Sequence, residues 1–399
     1  MSDTTKTRDQ YLMPTYARQP VMFSRGEGCW LFDDAGNRWL DGVAGIAVCN
    51  LGHCHPAVTA AIAQQAATLV HTSNLYRVER QEALAEKLCQ AAGMEKVFFS
   101  NSGAEANEAA IKLARLHGHR KDIEIPHIIV MESAFHGRTM ATLTATGNRK
   151  AQAGFEPLVQ GFVRVPFNDL DAVRKVAASN RQIAAVLVEP IQGEGGIHVP
   201  ASDYLQGLRQ ICDQHDWLLM LDEIQTGNGR TGKYFAYQHT GIMPDVVTTA
   251  KGLGNGFPIG ACLVHGKADN LFGPGNHGST YGGTPLGCRA ALTTVQELQK
   301  GPIDNARVMG ARIKAGFEKN LGDLGVYVEG AGLMMGVVLP KPCGELVARG
   351  RDAGVLLIVS AENRIRLLPP LVISAEEADL LVDKISGLVR TFLSEGAAA

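Results

Sequence analysis

Seven short apolar runs between residues 96 and 265 constrain this chain more than any other feature. They are Lys96–Ser100, His127–Glu132, Phe162–Phe167, Ile183–Pro190, Leu218–Glu223, Asp245–Lys251 and Gly260–His265. Several are apolar on both faces, the pattern of strands covered on each side by helices. Stretches with helical spacing accompany them at Ala104–Leu116, Asp203–His215 and Pro285–Lys300. This alternation predicts an α/β fold with a mostly parallel, seven-stranded sheet covered by helices. The last third reads differently. Arg307–Leu321 and Glu376–Leu393 have helical spacing, while Gly332–Leu339 and Arg364–Leu368 read as strands. These belong to a smaller α+β domain. Residues 1 to about 50 hold the turn signal Asp33-Asp34-Ala35-Gly36 and aromatic strand residues, and join that smaller domain. A chain of 399 residues suits two such domains better than one core. The expected division is 1–52 (part of the small domain), 53–287 (the large ligand-binding domain) and 288–399 (the rest of the small domain).

Composition narrows the partners. A hydrophobic fraction of 45% and a charged fraction of 20% fit a globular protein with a large core. The net charge of −2, without blocks of like charge, gives no reason to expect nucleic acid or an anionic membrane as partner. The start, Met1–Lys6, is polar and lacks a signal-peptide core, and no apolar stretch is long enough to span a bilayer. The eight cysteines form no C-x-x-C pair and mostly sit among apolar neighbours. They read as reduced core thiols of a cytoplasmic protein, with no metal site.

Four motifs carry chemistry. Asn101-Ser102-Gly103-Ala104-Glu105-Ala106-Asn107 follows an apolar strand and opens a helix, with Ser102 and Glu105 at capping-box spacing. It reads either as an ordinary capped helix or as a phosphate site at a helix N-terminus. Asp222 stands at the carboxyl end of a buried strand, where α/β ligand sites lie. A protonated pyridine nitrogen would suit it as partner, and a helix cap or a metal are the other readings. Lys251 ends the next strand and runs into Gly252, Gly254 and Gly256. A lysine there either enters a closed site, where a lowered pKa lets it form a Schiff base, or simply precedes a turn. Gly278-Ser279-Thr280-Tyr281-Gly282-Gly283-Thr284-Pro285 is a second phosphate loop or a flexible connection. Neither a dinucleotide fingerprint nor a P-loop is present, which argues against a dehydrogenase.

These motifs, with Phe135-His136-Gly137-Arg138-Thr139, Glu189-Pro190-Ile191-Gln192-Gly193-Glu194-Gly195-Gly196 and Leu221-Asp222-Glu223-Ile224-Gln225-Thr226-Gly227, resemble the class III (ornithine-type) aminotransferases. They occur in the family's order and span nearly the whole chain. The resemblance implies pyridoxal 5′-phosphate (PLP) as cofactor and the fold type I of PLP-dependent transferases. It also implies a homodimer with shared sites. Lys251 would hold PLP covalently and shuttle a proton, and Asp222 would pair with the pyridinium nitrogen. Ser102, Gly103 and Ala104 would bind the phosphate, and Thr280 would reach the phosphate of the other subunit. Phe135 would stack on the ring and Gln225 approach its 3′-oxygen. Arg138, helped by Tyr16, would grip the substrate α-carboxylate. Glu194 and Arg366 would form a switchable pair, with Glu189 nearby.

The reaction so implied is a ping-pong transfer of the δ-amino group of N2-acetylornithine to 2-oxoglutarate, a step of arginine biosynthesis. Ornithine, succinylornithine, succinyl-diaminopimelate and 4-aminobutyrate are the alternative donors, and a PLP-binding protein without turnover is a remoter reading. Two histidine clusters are set aside. His53-Cys54-His55 places adjacent side chains on opposite faces, which does not suit one metal ion. His117-Gly118-His119 reads as a helix end in solvent. His136 reads as a neighbour of Phe135 rather than an acid or base.

Overall fold

A computed structural model describes residues 11–395. The polar stretch Met1–Lys6 and the tail Gly396–Ala399 lie outside the described residues. All seven apolar runs form strands of one sheet, in the spatial order Lys96–Ser100, Gly260–Val264, Val246–Thr249, Leu218–Asp222, Ile183–Val188, His127–Met131, Phe162–Val165. Only Gly260–Val264 runs antiparallel to its neighbours. Every residue of Ile183–Val188 and Leu218–Asp222 is buried, as a strand covered on both faces must be. One face packs against Glu79–Ala92, Tyr204–His215 and Pro285–Leu298, and the other against Gly103–His119. Removing a fully buried Val or Leu side chain from water contributes about 1.5–3 kcal/mol, so these central strands anchor the site.

The carboxyl ends of five strands that point the same way open on one edge of this sheet. Asn101, the 132–138 loop, Glu189, Asp222 and Lys251 follow directly on those ends. This is where an open α/β sheet binds its ligand.

The smaller part is made from both ends of the chain. Arg25–Glu27, Trp30–Phe32 and Arg38–Asp41 join Val355–Leu356 in a four-stranded sheet. A second four-stranded sheet has the order Tyr327–Ala331, Met334–Val338, Arg364–Leu367, Ile358–Ser360. Helices Pro302–Leu321 and Ala375–Glu395 cover it through a core that includes Ile313, Phe317, Leu381 and Ile385. Helix Pro285–Leu298 is continuous across residue 287. Its Cys288, Ala291 and Val295 enter the core of the large sheet, and Leu298 enters that of the small part.

One sequence expectation is corrected here. Helix Gly103–His119 does end at these histidines with His119 exposed, but His117 is buried, its Nε2 2.9 Å from the Asp216 carbonyl. The sequence showed a polar end but not the loop that covers it. Among the described residues no helix is long and apolar enough to cross a membrane.

Candidate active site

The strand ends surround a cleft of about 420 Å³. Its walls include Ser102, Gly103, Ala104, Phe135, Arg138, Glu194, Asp222, Gln225 and Lys251. These nine residues singled out from sequence, and Glu189 with them, therefore share one cavity. Arg366 reaches it from the small part by bonding Glu194. Tyr16 and Thr280 do not line this cleft. Tyr16 is 77% exposed, and Thr280 is exposed on its loop.

At one end lies a helix start. Ser102 is its N-cap, with Oγ accepting the Glu105 N–H at 3.2 Å, while the Glu105 carboxylate accepts the Asn101 N–H at 2.7 Å. The Ser102 half is the expected cap, while Glu105 reaches back one residue further than a capping box requires, to Asn101 rather than to the Ser102 N–H. The N–H groups of Gly103 and Ala104 belong to the first turn and have no intrahelical acceptor, so they suit an anion. Glycine at position 103 leaves room for the Ile224 side chain, since a Cβ would stand 2.7 Å from Ile224 Cδ1 and force it to shift.

Asp222 occupies the middle of the cleft floor, almost fully buried. Its Oδ2 accepts from Asn107 Nδ2 and His136 Nδ1, both at 2.7 Å, and its Oδ1 accepts the Ile224 N–H at 3.1 Å. Asn107 is itself fixed, donating to the His136 carbonyl at 2.8 Å and accepting from Thr248 Oγ1 at 2.7 Å. The next residue, Glu223, takes other partners, as alternation along an extended chain requires. It accepts from Thr226 and from the Ala236 and Tyr237 N–H groups, and burial pushes its pKa up to about 7.

Lys251 has a left-handed backbone (φ 43°) rarely adopted by a side chain of this size. Burial pushes its pKa down to about 8, and the nearby Arg366 charge pushes the same way. Asp222, Glu194 and Glu189 act in the opposite direction. The Arg366 guanidinium is 1% exposed and donates to Glu194 Oε2 at 2.7 Å. Among the described residues its Nε and Nη2 have no partner. Burial would raise the Glu194 pKa, but the charge and hydrogen bond of Arg366 outweigh it and hold the carboxyl below its usual range. Arg138 is exposed, with its guanidinium carbon 5.6 Å from the Phe135 ring centre. Gln225 Oε1 is buried without a donor among the described residues.

These side chains fit PLP. The helix start would suit a phosphate, Asp222 a pyridinium N–H, the Phe135 ring a flat heterocycle, the Gln225 oxygen a hydroxyl, and the Lys251 amine a carbonyl.

Sequence reasoning gave no role to Asn107, Thr248 and His136 as partners of the Asp222 group. A signal existed for Asn107, since it is a lone amide on a helix face otherwise buried as Ala106, Ala109, Ala110 and Leu113. A buried amide requires partners. His53, set aside as a metal ligand, bonds Asp41 at 2.7 Å.

Residues 12–389 match the family described as aminotransferase class-III. The acetylornithine aminotransferase of Nitrosomonas europaea is 58% identical over 387 residues, covering 96% of this chain and 98% of that protein. Acetylornithine aminotransferase 1 of Bordetella pertussis is 51% identical and covers 95% and 98%. Among solved structures, the ornithine aminotransferase of Toxoplasma gondii superposes with a TM-score of 0.93 at 32% identity, covering 97% and 94% of the two chains. The acetylornithine aminotransferase of Elizabethkingia anophelis gives 0.86 at 33%, covering 96% and 97%. With its fold, its strand-end cleft and its full-length likeness all agreeing, this chain belongs to the class III aminotransferases.

Proposed function

We propose that this chain transfers the δ-amino group of N2-acetylornithine to 2-oxoglutarate, using PLP, and so forms N-acetylglutamate 5-semialdehyde and glutamate. What carries this function is the asymmetry of the Glu194–Arg366 pair. The cation is fixed and buried, while the Glu194 side chain is 54% exposed and can leave. One cleft can then take a donor whose reacting carbon bears no carboxylate and an acceptor whose reacting carbon does.

When bound, PLP draws electron density from the substrate carbon and stores the amino group between the half-reactions. Lys251 Nζ anchors it and moves a proton at the substrate carbon. Its lowered pKa leaves more of the amine neutral and nucleophilic near pH 7. Asp222, held by its three donors, keeps the pyridine nitrogen protonated. Ser102, Gly103 and Ala104 hold the phosphate, Phe135 stacks on the ring, and Gln225 accepts from the 3′-hydroxyl. Arg138 grips the donor α-carboxylate. Arg366 takes the acceptor carboxylate beside the reacting carbon once Glu194 withdraws.

The protein works as a homodimer in the cytoplasm. Thr280 is exposed, and its loop is tied beside the phosphate end by Asn101 Nδ2 donating to Ser279 Oγ at 3.2 Å. That placement suits a contact to the partner's phosphate. All eight cysteines are unpaired, which suits a reducing compartment.

A donor panel with 2-oxoglutarate tests the function. N2-acetylornithine should give the highest kcat/KM among it, ornithine, succinylornithine, succinyl-diaminopimelate and 4-aminobutyrate. The last lacks the acetamido-bearing α-carbon, so its carboxylate stands one carbon nearer the amine than the one Arg138 grips. Preference for 4-aminobutyrate would refute the proposal. Borohydride should fix PLP to the wild-type chain but not to Lys251→Ala.

A further inference from the structure

Glu189 lines the cleft and is only 6% exposed, yet the reaction above gives it no task. A carboxylate taken out of water is costly unless donors meet its oxygens. Two do, both from the main chain. The Phe135 N–H donates to Oε1 at 2.9 Å, and the Gly193 N–H donates to Oε2 at 3.1 Å. Among the described residues, no cationic side chain bonds it.

The two donors sit in loops with different duties. Phe135 faces the cleft as its aromatic wall. Gly193 opens the loop Gly193-Glu194-Gly195-Gly196, which brings Glu194 to Arg366. Glycines let that loop pack closely: a Cβ on Gly193 would lie 2.2 Å from Gln225 Oε1, and one on Gly195 2.6 Å from the Ser133 carbonyl oxygen. Glycines lend the loop little stiffness, so polar ties place it: its base is closed by main-chain bonds in both directions between Gln192 and His198, the Gly193 carbonyl accepts the Gly196 N–H at 3.3 Å, His198 Nε2 lies 3.0 Å from the Gly195 carbonyl, and one further tie acts at each end. The far end is held by the Arg364 guanidinium, which donates to the Gly196 carbonyl at 3.0 Å. The near end is held by Glu189. Between these ties, the Glu194 side chain is the part left to swing.

We propose that Glu189 is a positioning residue that couples cofactor stacking to the donor–acceptor switch, one carboxylate oxygen holding the Phe135 main chain and the other the Gly193 end of the switching loop. This rests on the roles given above to Glu194 and Arg366. Glutamine cannot substitute, because only one of its two terminal atoms accepts a hydrogen bond, and its NH2 would face an N–H donor.

The test is stopped-flow measurement of each half-reaction in the holoenzyme for wild type, Glu189→Gln, Glu194→Ala and the double variant. Glu189→Gln should lower kcat/KM of the donor half-reaction roughly tenfold, as expected for losing one hydrogen bond to a charged group. In the Glu194→Ala background the same change should cost less than about threefold, because the loop then carries no carboxylate to place. Equal losses in the two backgrounds overturn the coupling to the switch. Bound PLP should dissociate several-fold faster from Glu189→Gln in both backgrounds, and unchanged release overturns the coupling to Phe135. If the glutamine variant does not fold, Glu189→Asp, too short to span both N–H groups, is expected to show the same non-additivity. Equal damage to both half-reactions by Glu194→Ala alone defeats the underlying reading of the switch instead, and does so before Glu189 is changed.

Discussion

Asp222→Asn makes the smallest change that tests the partner of the pyridine nitrogen. Only one oxygen becomes NH2, but the consequences divide cleanly between folding and catalysis. Asp222 is 4% exposed and accepts three hydrogen bonds, two at 2.7 Å on Oδ2 and one at 3.1 Å on Oδ1. Asparagine can keep the two short bonds by placing its oxygen toward Asn107 and His136. Its NH2 then faces the Ile224 N–H. Losing that bond costs about 1–3 kcal/mol. Relief from burying a charge offsets it by a similar or larger amount. The apo-protein should therefore unfold within about 2 kcal/mol of wild type. Catalysis has no such offset. An adjacent carboxylate raises the affinity of a ring nitrogen for its proton by roughly 1–3 pKa units, or about 1.4–4 kcal/mol. Turnover should fall about 10- to 1000-fold. Glutamate formation at saturating donor and acceptor measures the loss, and thermal melts of the apo- and holo-forms measure the folding term. Turnover within about threefold of wild type, with PLP bound, would refute the reasoning.

Three further outcomes follow from the same geometry. Glu194→Ala should impair the donor half-reaction and spare or improve the 2-oxoglutarate half, whereas Arg366→Ala should chiefly damage the latter; equal losses in stopped-flow traces would reduce the pair to scaffolding. The Lys251 amine has a folded-state pKa of about 8 rather than 10.5, so its neutral form gains as pH rises through 8. Covalent capture of PLP by the apo-protein should rise with a midpoint near 8, and a midpoint near 10.5 contradicts the burial argument. Mixing Lys251→Ala with an impaired Thr280→Ala variant should restore activity, since one site of a mixed dimer collects both defects; no recovery in proven heterodimers removes Thr280 from the partner's site.

The sequence was most legible where one element carried the whole signal. A buried apolar strand that runs into a charged residue located Asp222 and Lys251, and a polar cap after a strand located Ser102. The direction of Gly260–Val264 was not legible, because an apolar run has no polarity of its own. The helices Pro56–Thr68 and Glu79–Ala92 were overlooked, although Leu84 and Leu88 of the second are buried at helical spacing. Partners contributed by different elements were beyond local reading. Nothing near position 222 announces Asn107 or His136, and nothing near position 41 announces the parallel pairing of Arg38–Asp41 with Val355–Leu356.

The relative placement of Lys251 and Arg366 shows why such long-range ties matter. The two cations come from different sheets, and their mutual charge is unfavourable. A buried network holds the segments beside them together. Fully buried Arg230 donates to the carbonyls of Leu333 and Pro369, and to Asn50 Oδ1 at 2.6 Å. Asn50 Nδ2 donates to the Asn228 carbonyl at 2.9 Å, and Asn228 Nδ2 donates to the Ala250 carbonyl at 3.1 Å. The path thus runs from the segment just after Arg366 to the residue just before Lys251. Its acceptors are neutral, and burial pushes the Arg230 pKa down to about 9 against the pull of Asp41. Neutral acceptors suit this place. A carboxylate bonded to Arg230 would add another negative charge near a cleft whose acid groups already act on Lys251. Carbonyls and amides fix the geometry while leaving the charge balance at the lysine to Asp222, Glu194 and Glu189.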